Sequence, residues 1–211
     1  MTEPQLSPRI LELLVSHICH DLVSPVGAIN NGIEFVEEMG DDAAGDAMGL
    51  IGSSVRQAST TLQCYRLAYG GAGSGANVTF DDIKTAFGNF IEGSRAKLSW
   101  EVDPTAFGMI PEGFMKILLN TLIMAKNVIP ANGDIIVQSL EGENGVKIIA
   151  RAENVEFRDG VGEAFRKETA LDDLTPRSVH GYVTAIFAEF FDITVENEKP
   201  AEGEMTFTVK Y

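Results

Sequence analysis

The chain has 211 residues, 45% of them apolar, enough for a buried core and one or two domains. Its formal net charge of −15 argues against a nucleic-acid ligand, where Lys and Arg must neutralise phosphate. It has no run of about 18 apolar residues and no basic segment leading into an apolar stretch at its start, so neither a membrane span nor a signal peptide is expected.

Residues 5–39 predict one long helix. Apolar side chains recur at Leu11, Val15, Ile18, Leu22, Pro25, Ile29, Ile33 and Val36, mostly three or four apart, the spacing of one helical stripe. Pro25 is expected to kink or loosen the helix just after residue 20. His20 stands two positions from both Ile18 and Leu22, about 200° from each around the axis, and so on the opposite face. Its helical neighbours Ser16, Ser24 and Gly27 are small and keep the surface around it low. A neutral imidazole is a good nucleophile near pH 7, because its ordinary pKa is about 6.5. Given clearance, it can attack an acyl phosphate or an ATP γ-phosphate in line and form a phosphoramidate. The adjacent carboxylate of Asp21 can hold one ring nitrogen and so orient the other. His20 is therefore the expected phospho-acceptor and Asp21 its partner, with Ser16, His17, Ser24 and Gly27 as the docking surface. His17, one turn back, is an alternative acceptor but lacks a following acidic residue. A metal site built from His17, Cys19 and His20 is disfavoured, since Cys19 points elsewhere on the helix and no further Cys/His cluster exists. No metal is expected. Cys19 and Cys64, both in helical patterns, read as reduced core or boundary residues of a cytoplasmic protein.

Gly40-Asp41-Asp42 predicts a turn, and residues 43–69 a second helix. Its apolar positions Met48, Ile51, Val55, Ala58, Leu62, Tyr65 and Tyr69 alternate by three and four, which is coiled-coil spacing. A lone antiparallel hairpin buries one seam, so self-association into a four-helix bundle, and hence a homodimer, is expected. Gly70-Gly71-Ala72-Gly73-Ser74-Gly75 reads as a linker; it lacks the Lys-Ser/Thr ending of a phosphate-binding loop. Beyond it the pattern changes. Thr79 is a candidate N-cap for a helix to about residue 93, and residues 98–102 alternate like a strand. Pro111 is expected in the first turn of a helix ending near Asn127. Residues 134–140 and 145–152 form a strand pair, helices follow at 160–168 and 177–191, and 192–198 with 204–210 complete a second pair. The expected fold is α+β: a helical hairpin over residues 1–72, then an α/β sandwich with a mixed sheet over 77–211.

Three stretches carry a resemblance. His20-Asp21-Leu22-Val23-Ser24-Pro25 is similar to the phospho-acceptor box of sensor histidine kinases. Leu118-Leu119-Asn120-Thr121-Leu122-Ile123-Met124-Ala125-Lys126 resembles the N box of their GHKL (Bergerat) ATP-binding domain, and residues 187–209 resemble its final helix and strand pair. The resemblance covers nearly the whole chain and implies a dimerisation and phospho-acceptor hairpin followed by that domain. The departures from it are equally specific. Met124, a poor ligand for a hard cation, stands where the N box carries a magnesium-binding asparagine. Ala152-Glu153-Asn154-Val155-Glu156 replaces the adenine-reading Asp-x-Gly-x-Gly, and Asp173-Leu174-Thr175-Pro176-Arg177-Ser178 replaces the Gly-rich lid. Three losses together imply a degenerate domain with no ATP-binding residues.

A phospho-acceptor without a kinase must be charged from elsewhere. Cys19 through Pro25, Ala28-Ile29 and Asp46 through Ser54 resemble the ChpT-type histidine phosphotransferases of alphaproteobacteria. That resemblance implies relay from a receiver-domain aspartate of a hybrid kinase, through His20, to a response-regulator aspartate. No cofactor of the chain's own is implied, Mg²⁺ being held by the receiver, and neither nucleic acid nor membrane is a partner. Residues 1–76 hold three basic side chains, Arg9, Arg56 and Arg66, so an arginine finger is not obvious, although Arg66 could approach the site. The alternatives are a dimeric scaffold that binds receivers without forming phosphohistidine, and an active kinase.

Overall fold

The computed structural model describes residues 7–39, 44–73, 78–130 and 132–211. The expected turn at Gly40-Asp41-Asp42 and the Ser74-Gly75 end of the linker lie outside the described residues. Helix α1 spans Pro8–Met39 and continues through Pro25, which is buried. Helix α2 spans Ala44–Ala68 and packs along it. The inner seam of α2 is Ala47, Ser54, Thr61 and Ala68, seven apart, small and buried. Small side chains let the helix backbones approach: a Cβ added at Gly32 of α1 would come within 2.7 Å of Ile51 Cγ1. One position further round α2, Met48, Val55 and Leu62 keep the same seven-residue spacing but are exposed, at 61%, 49% and 52%. On α1 the buried positions are Ile10, Leu13, Pro25 and Gly32, whereas Leu11, Val15 and Ile33 of the expected stripe are exposed. The hairpin's apolar surface is thus divided, one part facing its own chain and one part facing outward.

By length and composition alone α1 is apolar enough to cross a bilayer, which the search for apolar runs did not anticipate. In this fold it lies along α2 and α6, and it carries His17, His20 and Asp21 near its middle, where a bilayer would penalise them most.

The second half follows the expected order: α3 (Phe80–Ile91), β1 (Ala96–Glu101), α4 (Phe114–Asn127), β2 (Gly133–Ser139), β3 (Gly145–Arg151), α5 (Val161–Phe165), α6 (Val179–Phe190), β4 (Thr194–Ala201) and β5 (Glu204–Lys210). The five strands form one mixed sheet in the order β1-β2-β3-β5-β4, with β1 and β2 parallel and the other pairs antiparallel. Helices α3, α4 and α6 pack on it. Thr79 caps α3 with a reciprocal capping box: its hydroxyl accepts from the Asp82 N–H, and its own N–H donates to the Asp82 carboxylate. Pro111 does not open α4. The helix begins three residues later behind Gly113, whose φ of +83° and contact with the Phe191 ring leave no room for a Cβ.

Helix α4 lies between sheet and hairpin, and every residue from Phe114 to Ala125 is buried. Two of its polar side chains reach the end of α2, where a helix leaves carbonyls without partners. Lys116 Nζ donates to Gly70 O at 2.7 Å, and Asn120 Nδ2 donates to Ala68 O at 2.7 Å. The end of α2, with Cys64, Tyr65 and Ala68, belongs to the same core as Phe87, Leu118 and Phe207. A second cluster joins Ile10 and Leu13 of α1 to Ala164, Leu174, Val179 and Val183 around α6. Hairpin and sandwich are therefore fastened at two places, and the site lies beside the first of them.

Candidate functional site

His20 lies on the outward face of α1 with its side chain 76% exposed. Its Nδ1 is 3.1 Å from Asp21 Oδ1. A ring nitrogen held by a carboxylate is the one that carries hydrogen, so the lone pair of the ring lies on Nε2. The other carboxylate oxygen of Asp21 accepts the hydroxyl of Tyr65, from α2. The His20 imidazole is thus tied through one carboxylate to the opposite helix of the hairpin.

An open groove of about 620 Å³ runs past this pair. It is lined by His20, Asp21 and Ser24 of α1, Arg56 of α2, Phe90 of α3 and Lys126 of α4, among others. The imidazole therefore faces a space bounded by both halves of the chain. Ser16 is exposed one turn before His20, and at Gly27 a Cβ would meet nothing within 4 Å, so the surface stays low on both sides.

His17 is turned inward. Its ring lies 5.7 Å from Tyr65, 6.5 Å from Tyr69 and 6.1 Å from His180, the last stacked upon it. Burial lowers its pKa, with the nearby Asp21 carboxylate pulling the other way. His180 is enclosed: Tyr69 Oη lies 2.7 Å from its Nδ1, and its Nε2 lies 3.0 Å from Asn120 O. An N–H on Nε2 donates to that carbonyl and leaves Nδ1 to accept from Tyr69. Burial drives its pKa down to about 3. Tyr65 and Tyr69 are pushed well above the ordinary phenol value, first by burial, so both keep their hydroxyl protons. Cys64 is buried and its thiol is raised to about 12, whereas Cys19, expected in the core or at its boundary, is exposed next to His20.

The three positions where ATP determinants were expected are occupied otherwise. Met124 has no exposed surface. The segment in place of the lid folds under the start of α1: Leu174 is buried against Ile10 and Leu13, and Arg9 Nη2 donates to its carbonyl at 3.4 Å. Thr175 and Ser178 close a reciprocal hydrogen-bonded turn leading into α6. Among the described residues, no three His, Cys, Asp or Glu side chains converge in a way that could hold a metal ion.

Sequence reasoning missed Tyr65, which it counted as one more apolar position of α2, and it missed Arg56 and Lys126 across the groove. Arg66 does not line the groove; Arg56, ten residues earlier, is the hairpin's basic residue there. No local spacing marks these residues, since each reaches the site only through the pairing of distant segments.

Comparison with known proteins finds relatives among phosphotransferases. Residues 80–203 match the family model described as the histidine phosphotransferase C-terminal domain. A 133-residue stretch is 43% identical to the protein phosphotransferase ChpT of Brucella abortus (strain 2308), covering 63% of this chain and 61% of that protein, which is less than two thirds of the relative's length. A solved bacterial phosphotransferase superposes with a TM-score of 0.82 at 30% identity over 99% of this chain and 98% of its own.

Proposed function

The chain belongs to the histidine phosphotransferase family, and from that premise we propose that it relays a phosphoryl group through His20 from one receiver-domain aspartate to another. The observation that carries this reading is the exposed His20 imidazole, its Nδ1 tied to Asp21, at the groove that it helps to line. In the forward step the Nε2 lone pair attacks phosphorus in line. The bond from phosphorus to the donor's carboxylate oxygen breaks, and that aspartate leaves with the electron pair. The Nδ1 proton stays on the ring, shared with Asp21, which offsets the positive charge of the phosphorylated imidazole. The second step is the reverse displacement, with the acceptor's aspartate attacking the phosphohistidine. The receiver domains supply Mg²⁺ and most of the charge stabilisation, while Ser16, Ser24 and Gly27 leave them room to approach.

On this reading residues 1–72 are the phosphotransfer hairpin, paired with a second copy through the outward apolar positions of α1 and α2. Residues 77–211 are a former ATP-binding domain that braces the hairpin. Closure of its lid segment under α1 and the burial of Met124 support the absence of ATP binding.

The test is transfer from a prephosphorylated receiver domain to this protein, beside His20→Ala, with ATP alone in a parallel tube. Acid-labile label that comes from the receiver, and is absent from the variant, is the expected result. Label from ATP alone would make the chain a kinase. No label from either source would leave a receiver-binding scaffold.

A further inference from the structure

We propose that Tyr65 is a positioning residue for the transfer, acting on His20 through the carboxylate of Asp21; this rests on His20 being the acceptor. Consecutive residues on a helix point about 100° apart and do not face each other. A contact between His20 and Asp21 therefore requires the Asp21 side chain to be held leaning toward its neighbour. Asp21 is partly exposed, its side chain at 34%, so water competes for both of its oxygens. The Tyr65 hydroxyl takes one of them and leaves the other facing Nδ1.

Tyr65 is suited to this. It is 4% exposed, and its ring is fixed by His17 at 5.7 Å, Tyr69 at 5.3 Å and Phe90 at 5.9 Å. Phe90 belongs to α3, so the sandwich helps set the angle from which Tyr65 addresses the carboxylate. His17 Nε2 lies 3.5 Å from the Tyr65 oxygen on the buried side. The hydroxyl also draws negative charge from the carboxylate. The other titratable groups around the pair are Arg56, Glu92 and Lys126 across the groove, and His17, Tyr69 and His180 on the buried side.

The experiment measures the rate of transfer from a phosphorylated receiver domain for wild type, Tyr65→Phe, Asp21→Ala and the double variant, with His20→Ala as control. Phenylalanine keeps the ring contacts, and matching thermal unfolding checks the fold. Tyr65→Phe should slow transfer about tenfold, the loss expected for one hydrogen bond to a charged group. In the Asp21→Ala background the same substitution should leave the rate unchanged, because the group it acts through is gone. A rate unchanged by Tyr65→Phe would overturn the role of Tyr65, as would an equal loss in the Asp21→Ala background. Transfer surviving in His20→Ala, or absent from wild type, would overturn the acceptor assignment itself and this proposal with it.

Discussion

His180 shows how far a single side chain's behaviour departs from its position in the sequence. It sits on α6, 1% exposed, between the hydroxyl of Tyr69 and the backbone carbonyl of Asn120. Protonation would put a charge where no water reaches and replace the lone pair that Tyr69 needs with a second donor. The folded pKa is about 3, against 6.5 for the free side chain. Between those values the unfolded chain holds a proton that the folded chain refuses. Stability is therefore intact above pH 6.5 and falls as the pH drops toward 3, by up to about 1.4 kcal/mol per pH unit. Burial shifts His17 in the same direction. Urea unfolding at pH 7, 5.5 and 4.5 should show wild type losing more stability than His180→Gln, with the gap between them narrowing as the solution acidifies. Parallel curves would show that His180 is not the group responsible. Nothing near residue 180 announced this role. His20, Asp21 and Ser24 were readable because their relation is local, a matter of helical angle. Tyr65 and His180 act across 44 and 111 positions of sequence, toward Asp21 and Tyr69 respectively, and such pairings exist only after folding.

Between elements, α6 packs backbone to backbone on α5. Gly181 meets the carbonyl oxygen of Val161 so closely that a Cβ would overlap it, and backbone cannot move aside as a side chain can. Gly181→Ala gains helix propensity, about 1 kcal/mol at most, but separates α6 from α5 and displaces His180 beside it. The net expectation is a loss of about 1–3 kcal/mol, the usual cost of overpacking, visible as a lower denaturation midpoint in urea. A midpoint at or above that of wild type would mean that α5 is free to shift. The order of elements was legible wherever one signal dominated. Thr79 marked the start of α3 as its N-cap, and alternation marked β1. Two signals misled. Pro111 suits a first helical turn, yet the loop continues to Gly113, where the positive φ and the Phe191 ring against the position both require a residue without a Cβ. The three-four spacing on α1 located the helix but not its inner face, since small Gly32 occupies the seam while Leu11, Val15 and Ile33 stand outside it.

At the scale of the whole molecule, the hairpin presents more apolar surface than one copy covers. Met48, Val55 and Leu62 stand exposed in register, one residue round from the buried Ala47, Ser54 and Thr61, and Leu11, Val15, Val26 and Ile33 remain open on α1. An antiparallel hairpin with a second apolar face is suited to pair with a second copy into the proposed four-helix bundle. Opposing association is the charge: each copy carries −15, so pairing brings like-charged bodies together and must be driven by apolar burial. Two consequences follow from that balance. Salt screens the repulsion and leaves the hydrophobic term intact, so the proposed dimer should tighten between about 0.01 M and 0.15 M ionic strength, as the Debye length falls from about 30 Å to 8 Å. Val55→Glu adds a carboxylate at the centre of the outward seam of each copy. Because Val55 is already 49% exposed within one chain, the monomer should keep its fold while the dimer separates. Light scattering coupled to size exclusion at both ionic strengths checks both effects. Wild type running as a monomer at every concentration and salt level would refute self-association and leave the apolar face for a partner of another kind.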